Sequence, residues 1–268
     1  MPDDPPVDRT GADGTGTQAV QRALRLLGLV AEHRYVGIRL TELARLTSLH
    51  VATAHRLLGA LVREGMVSLD GYAKRYYLGP RLIDLGQVAQ MKDLESWKAA
   101  AVSLARSTED VVYVYAPVGQ DVVCVHRVEG AYPVKALIRE VGARIPMGAN
   151  SGSIHMLALM PADQARDTIA ANASRYPSYG GLTADEVRQA VDAARISGYG
   201  LNDGKVLRGV TGVGVAIADP AGTVRAAISV VAVSHRLEGP RRDSVVRQIR
   251  KALDGETGPA SRTSARRS

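Results

Sequence analysis

The chain has 268 residues, 46% hydrophobic and 23% charged, which is enough apolar material for one large domain or two ordinary ones with real cores. Lys and Arg number 34 against 27 for Asp and Glu, and the formal charge of +7 favours a polyanionic partner such as nucleic acid or an anionic membrane surface. A single cysteine excludes an intrachain disulfide and a cysteine-based zinc site, and no apolar run approaches the ~20 residues of a membrane helix, so a cytoplasmic protein with no membrane partner is expected.

Residues 1–16 are rich in Pro, Gly, Asp and Thr and read as a disordered arm; their acidic, Pro-rich start does not match a signal peptide. Residues 17–32 form the first predicted helix, with Val20, Ala23, Leu24, Leu27 and Ala31 on its apolar stripe. A link through Gly37 leads to Thr41, a good N-cap for a second helix that buries Leu43, Ala44 and Leu46 and ends at Thr47-Ser48. Residues 50–64 make the third helix, where Ala54, Leu57, Leu58 and Leu61 sit at i, i+3, i+4 and i+7. At about 100° per residue, the opposite face carries Ala52, Arg56, Gly59 and Arg63, flanked by Thr53 and His55. This outward face holds cations and hydrogen-bonding groups but no acid before Glu64, whereas a merely solvated face mixes both signs. Gly65 stops the helix, and strands at 66–69 and 76–78 enclose Asp70-Gly71 and the basic Lys74-Arg75 tip. Two short helices, a helix of recognition type and a basic hairpin make a winged helix-turn-helix over residues 17–79.

A fourth helix starts at Pro80 and carries Leu82, Leu85 and Ala89 through residue 92; Asp93 can cap the next, which buries Trp97, Ala101, Leu104 and Ala105. Beyond Thr108 the pattern turns to β-branched runs at 111–117, 121–128 and 135–139, followed by helices at 151–159 and 161–171. Thr183 and Glu186 are spaced as a capping box for a further helix that Gly198 ends. Strands at 210–218 and 224–233 flank the turn Asp219-Pro220-Ala221-Gly222. Strands in hairpins rather than strict βαβ alternation predict an α+β fold, an antiparallel sheet with packed helices spanning residues 93–254. Residues 255–268 read as a disordered basic tail.

The run LTELARLTSLHVATAHRLLGALVREGMV, with YYLGPRLIDLG after it, resembles the DNA-binding half of the IclR family of bacterial regulators. GARIPMGANSGS resembles that family's Gly-x-Arg-x-Pro segment, and GYGLNDGKVLRGVTGVGVAI with AAISVVAVSHRL resembles its C-terminal signature. The likeness spans roughly residues 17–250 in the family's order. It implies a winged helix-turn-helix, a linker helix at 80–92 that pairs subunits, and a GAF-like effector domain. It further implies a dimer or dimer of dimers on a near-palindromic operator, acting in most members as a repressor of a metabolic operon under control of a small-molecule effector. Neither cofactor nor catalytic residue is expected.

The third helix would then enter the major groove of double-stranded DNA. Arg56 is the first choice for a bidentate contact to guanine, Thr53 and His55 can bond a base or phosphate, and Ala52 lets the backbone come close. Thr41, His50 and Arg63 complete the set, with Lys74 and Arg75 meeting phosphate or the minor groove from the wing. Ser48-Leu49-His50 replaces the family's usual Gly-Leu-Pro at the turn. By resemblance, the effector would meet Met147, Ala149 and Asn150 on one wall, with Asn202, Gly212 and Ser229 on the sheet. Asn202 stands where the family often has Asp, and Gly212 where it often has Cys, so a roomier pocket is expected.

Other signals are weaker. GANSG places Ser151 one position too late for a nucleophile elbow, GVTGVG has reversed spacing for a dinucleotide loop, and GLNDGKV lacks the spacing of a phosphate loop. The six His residues show no metal-ligand spacing, and Cys124 reads as a small core residue.

Overall fold

A computed structural model describes residues 13–88, 94–136 and 138–256. The chain divides into two compact units, residues 1–91 and 92–268. Expectations for the arm before residue 13, for Ala89, for the Asp93 cap and for the tail after residue 256 lie outside the described residues.

The first unit holds α1 (Asp13–Glu32), β1 (Ile38–Arg39), α2 (Leu40–Thr47), α3 (Val51–Arg63), β2 (Val67–Asp70), β3 (Arg75–Leu78) and α4 (Arg81–Val88). α1 begins at Asp13, four residues before the predicted start at residue 17. Its buried stripe is also displaced from the one predicted. Leu26 and Val30 are fully buried with Ile38, Leu43, Leu58, Val67 and Tyr76, while Val20 and Leu24 are each 59% exposed. α1 carries apolar residues around more than half its circumference, so periodicity alone does not select the inward arc.

Thr41 is not an N-cap. Arg39 holds that position in extended backbone without a side-chain bond, because residues 38–39 pair with β3 as a strand and bring the chain directly into α2. In the turn between α2 and α3, Ser48 takes the left-handed conformation (φ 55°) that Gly adopts at lowest cost. Its N–H and that of Leu49 return to the carbonyls of Arg45 and Ala44. The Gly-free turn therefore keeps the tight geometry that the helix pair requires. The hairpin order is β1-β3-β2, and Asp70 Oδ1 accepts from the N–H groups of Tyr72 (2.8 Å) and Ala73 (2.9 Å) to shape its tip.

The second unit comprises α5 (Leu94–Thr108), β4 (Val111–Val118), β5 (Asp121–Val128), β6 (Arg144–Pro146), α6 (Ser151–Leu159), α7 (Ala162–Asn172), α8 (Ala184–Ser197), β7 (Gly200–Asp203), β8 (Val210–Ala218), β9 (Val224–Val233) and α9 (Gly239–Glu256). The strands form one antiparallel sheet in the order β6-β5-β4-β9-β8-β7. The period of two along the strands puts Tyr113, Tyr115, Gly212, Gly214, Ser229 and Val231 on one face, where α6 to α8 pack. Val112, Val114, Val213 and Val230 point to the other, covered by α5 and α9. Trp97, Ala101, Leu104 and Ala105 of α5 are buried as expected.

The described residues of the expected strand at 135–139, 135–136 and 138–139, are not in a strand. They lie in the connection between β5 and β6, and the third strand of the sheet is the short β6 instead. β7 and α9 also went unread in the sequence. α8 follows expectation closely: Thr183 Oγ1 accepts from the Glu186 N–H, Glu186 returns a carboxylate to the Thr183 N–H, and Gly198 closes the helix at φ 71°. At α6, Asn150 is the N-cap, its Oδ1 accepting from the Ser153 N–H at 2.9 Å.

Candidate functional site

The candidate nucleic-acid surface of the first unit is the outward side of α3. Leu58 and Ala54 anchor the helix in the core, and Ala52, His55, Arg56 and Arg63 are correspondingly exposed; Thr53 and Gly59 are half-buried on its flanks. Among the described residues, Arg56 and Arg63 have no carboxylate partner. The N-terminus of α3 has no side-chain cap, since the exposed His50 does not bond it. Several first-turn N–H groups are therefore unspent, and with the helix dipole they suit an anionic oxygen such as a phosphate. Thr41 is exposed in the first turn of α2.

The two wing cations differ. Lys74 is exposed at the tip in left-handed backbone (φ 53°). Arg75 is half-buried, and its Nη1 donates to the carbonyls of Gly37 (2.8 Å) and Val36 (3.3 Å), holding the segment before β1 against the hairpin. Sequence reasoning passed over Tyr72, which is 99% exposed at the wing tip.

The second unit contains a cavity of about 420 Å³ on the α6 face of the sheet. Of the six residues expected to meet an effector, Ala149, Asn150, Asn202, Gly212 and Ser229 line it. Met147 does not. It is buried in the apolar core with Tyr176, whose hydroxyl donates to the Met147 carbonyl at 2.7 Å. An added Cβ at Gly212 would stand 3.0 Å from the Ser151 hydroxyl, so the glycine lets α6 approach the sheet here. The Ser151 hydroxyl in turn donates to Ser229 Oγ at 3.2 Å.

The lining residues that sequence reasoning missed include Tyr115, Lys135, Arg139 and Tyr179. Lys135 and Arg139 sit in the segment misread as a strand. Its flanking Gly130, Pro133 and Gly142 are the signal that marks it as a loop. Burial raises the Tyr115 phenol well above its usual range, so its hydroxyl stays protonated.

His155 is buried on α6, and its Nδ1 accepts from the Ala216 N–H at 2.8 Å, which puts the ring proton on Nε2. Burial, and secondarily the Arg250 charge, lower its pKa from 6.5 to about 4. The unfolded chain takes up this proton at a higher pH than the folded one, so the stability contributed is complete above about pH 6.5 and is lost as pH falls towards 4. The expected loss is about 3 kcal/mol. Urea titrations across that window should show it, and His155→Gln should flatten the slope; an unchanged slope would detach His155 from it.

Together these features define a class: a winged helix-turn-helix protein with a separate α+β domain that carries a ligand-sized cavity. Residues 19–71 match the IclR helix-turn-helix domain, and residues 87–254 match the family described as bacterial transcriptional regulator IclR C-terminal. The chain belongs to the IclR family of bacterial transcriptional regulators. It is 23% identical over 238 residues to the transcriptional regulator KdgR of Escherichia coli K12, spanning 87% of this chain and 89% of that protein. It is 26% identical over 240 residues to the glycerol operon regulatory protein of Streptomyces coelicolor, spanning 87% and 92%. An IclR-type regulator from Silicibacter sp. TM1040 shares the fold with a TM-score of 0.77 at 22% identity, over 89% of this chain and 94% of that one. An IclR homologue from Microbacterium hydrocarbonoxydans, solved with 4-hydroxybenzoate, aligns with a TM-score of 0.69 at 21% identity, over 89% and 97%. Among the described residues, no helix is long and apolar enough to cross a membrane.

Proposed function

We propose that this protein is a cytoplasmic repressor of a metabolic operon that binds a near-palindromic operator as a dimer or dimer of dimers and is released by a small molecule held in the second unit. The carrying observation is the outward face of α3, with exposed Arg56 and Arg63 lacking acidic partners among the described residues and an N-terminus without a side-chain cap. Arg56 reads a base, and Thr53, His55 and the close-approaching Ala52 support it. Arg63, Lys74, His50 and Thr41 engage phosphates or groove edges. Arg75 contributes mainly by fixing the wing through Gly37.

Self-association fits the exposed apolar residues Val20 and Leu24 of α1 and Ile83 and Leu85 of α4, which a second copy would cover. The 4-hydroxybenzoate complex of the Microbacterium regulator supports assigning the cavity to an effector, lined here by Ala149, Asn150, Asn202, Gly212 and Ser229. Effector binding would then act by changing the geometry of the paired winged helices.

The test uses a genomic fragment selected by the full-length protein. Arg56→Ala should weaken binding by about 1–3 kcal/mol, roughly 5- to 150-fold, and relax the preference at one base pair per half-site. A footprint and affinity equal to wild type would remove Arg56 from readout.

A further inference from the structure

We propose that residues 257–266 of this chain dock as an added strand in the groove between α8 and the outer edge of β7. The inference is independent of the effector and operator readings above.

The groove is a second cavity of the second unit, about 370 Å³, at the far edge of the sheet. α8 lines it with Glu186, Ala190, Ala193 and Ser197, the i, i+4, i+7 and i+11 positions of one helix face. Tyr199, Leu201 and Asp203 line it from the side of β7, at the period of a strand. Ile154, Leu182 and Val187 complete it with apolar surface. β7 ends the strand order, so its outer backbone groups pair with no strand among the described residues. An edge strand beside a helix can take up an extended segment: main-chain bonds go to the edge, and alternate side chains enter the groove.

The chain brings such a segment to the mouth of this groove. α9 is fastened there, with Arg250 Nη2 donating to the carbonyls of Ser197 (3.2 Å) and Gly198 (2.9 Å) at the end of α8. From Arg250, α9 rises about 9 Å to its last residue, Glu256, and the groove runs about 16 Å along α8 from Ser197 to Glu186. Residues 257–266 cover about 33 Å when extended, which is longer than both spans together.

The composition of the segment fits the groove. Ser261, Thr263 and Ala265 alternate with Arg262, Ser264 and Arg266. One face of a strand here is therefore small and uncharged, and the other carries the cations. Ala190, Ala193 and Ala194 leave space for side chains of that size. Pro259, which lacks an N–H to donate, stands where the added strand would begin. Residues 257–268 hold Arg262, Arg266 and Arg267 and no acid, whereas the groove is lined by Glu186 and Asp203 against Lys205 alone. Lys205 is already bonded to Glu186 at 2.7 Å. Asp203 Oδ1 accepts from Thr211 Oγ1, while its Oδ2 accepts no bond among the described residues and is open to an arginine. A segment docked there also shields the edge of the sheet from pairing with another molecule.

Hydrogen–deuterium exchange of the full-length protein, read by mass spectrometry, tests this. Ala193 is exposed, so Ala193→Trp fills the groove without entering the core. Amides of residues 260–266 and 200–203 should exchange about tenfold more slowly in the wild type than in this variant, with β8 and β9 unchanged. Arg262→Glu combined with Arg266→Glu should release both segments while leaving the groove itself intact. Wild-type amides at 260–266 exchanging at the rate of an unstructured peptide would overturn the proposal. So would protection there that survives Ala193→Trp, because the segment would then dock elsewhere. Protection that weakens as the protein is diluted would assign the groove to the segment of a second copy and overturn docking within one chain.

Discussion

Operator affinity of the full-length protein is expected to fall about a hundredfold when monovalent salt rises from about 50 to about 200 mM. The figure follows from counterion release: each neutralised phosphate contributes close to one unit to the slope of log affinity against log salt. Two phosphate-facing cations per half-site, Arg63 and Lys74, give about four contacts for a dimer, and a fourfold rise in salt then costs about two decades. The exposed positions of Arg63 and Lys74, and their lack of an acidic partner among the described residues, leave both charges available for phosphate. A Lys74→Ala dimer should bind all sequences more weakly and lower the slope by about two, one for each wing. Fluorescence anisotropy at four or five salt concentrations measures both quantities. A flat profile would count against DNA as the partner of this surface, whatever the affinity at a single condition.

The second large effect is on stability. Gly200→Ala is expected to destabilise the second unit by about 3 kcal/mol, the upper end of the cost of overpacking. A Cβ at this position would stand 1.9 Å from the Ser151 carbonyl oxygen and 2.9 Å from the His155 nitrogen. Both are backbone atoms of α6, so no side chain can rotate away and the helix itself must lift. The same close approach recurs at Gly214, where a Cβ would stand 2.5 Å from the Gly152 nitrogen. These glycines seat α6 on the sheet and set the depth of the cavity beneath its N-terminus. Chemical denaturation of the variant should show the loss, with a melting temperature lower by roughly 6–12 °C. A loss below about 1 kcal/mol would mean that α6 sits less tightly than this geometry requires.

Local order was legible where it depends on neighbours in the chain. Strands β8 and β9 and helix α6 fall at the expected bounds, and α8 carries its capping box and terminal Gly198. The apolar stripe of α3 was read residue by residue, and its complement identified the exposed side. The misreadings have specific causes. Residues 135–139 have apolar members at strand-like spacing, but the Tyr113 hydroxyl takes the Ala136 carbonyl and the Ile138 N–H instead of a neighbouring strand. β1 has only two residues and exists because Arg75, Tyr77 and β3 draw the segment in. Met147, two residues before Ala149, points into the apolar core rather than the cavity, a direction that chain position alone does not reveal.

The sequence by itself therefore determined most of the helices, the β8–β9 hairpin and the outward cationic face of α3, because each of these follows from the spacing of residues along a helix or strand; the family resemblance rested on the motifs. Tertiary structure alone decided the cavity. Tyr115, Arg139, Asn202 and Ser229 come from separate parts of the chain and meet because β4 pairs with β9 and β7 closes the far edge of the sheet. No local period encodes that pairing; it arises from burying both faces of the sheet at once. The same packing turned a misread strand into the loop whose two cations face the cavity.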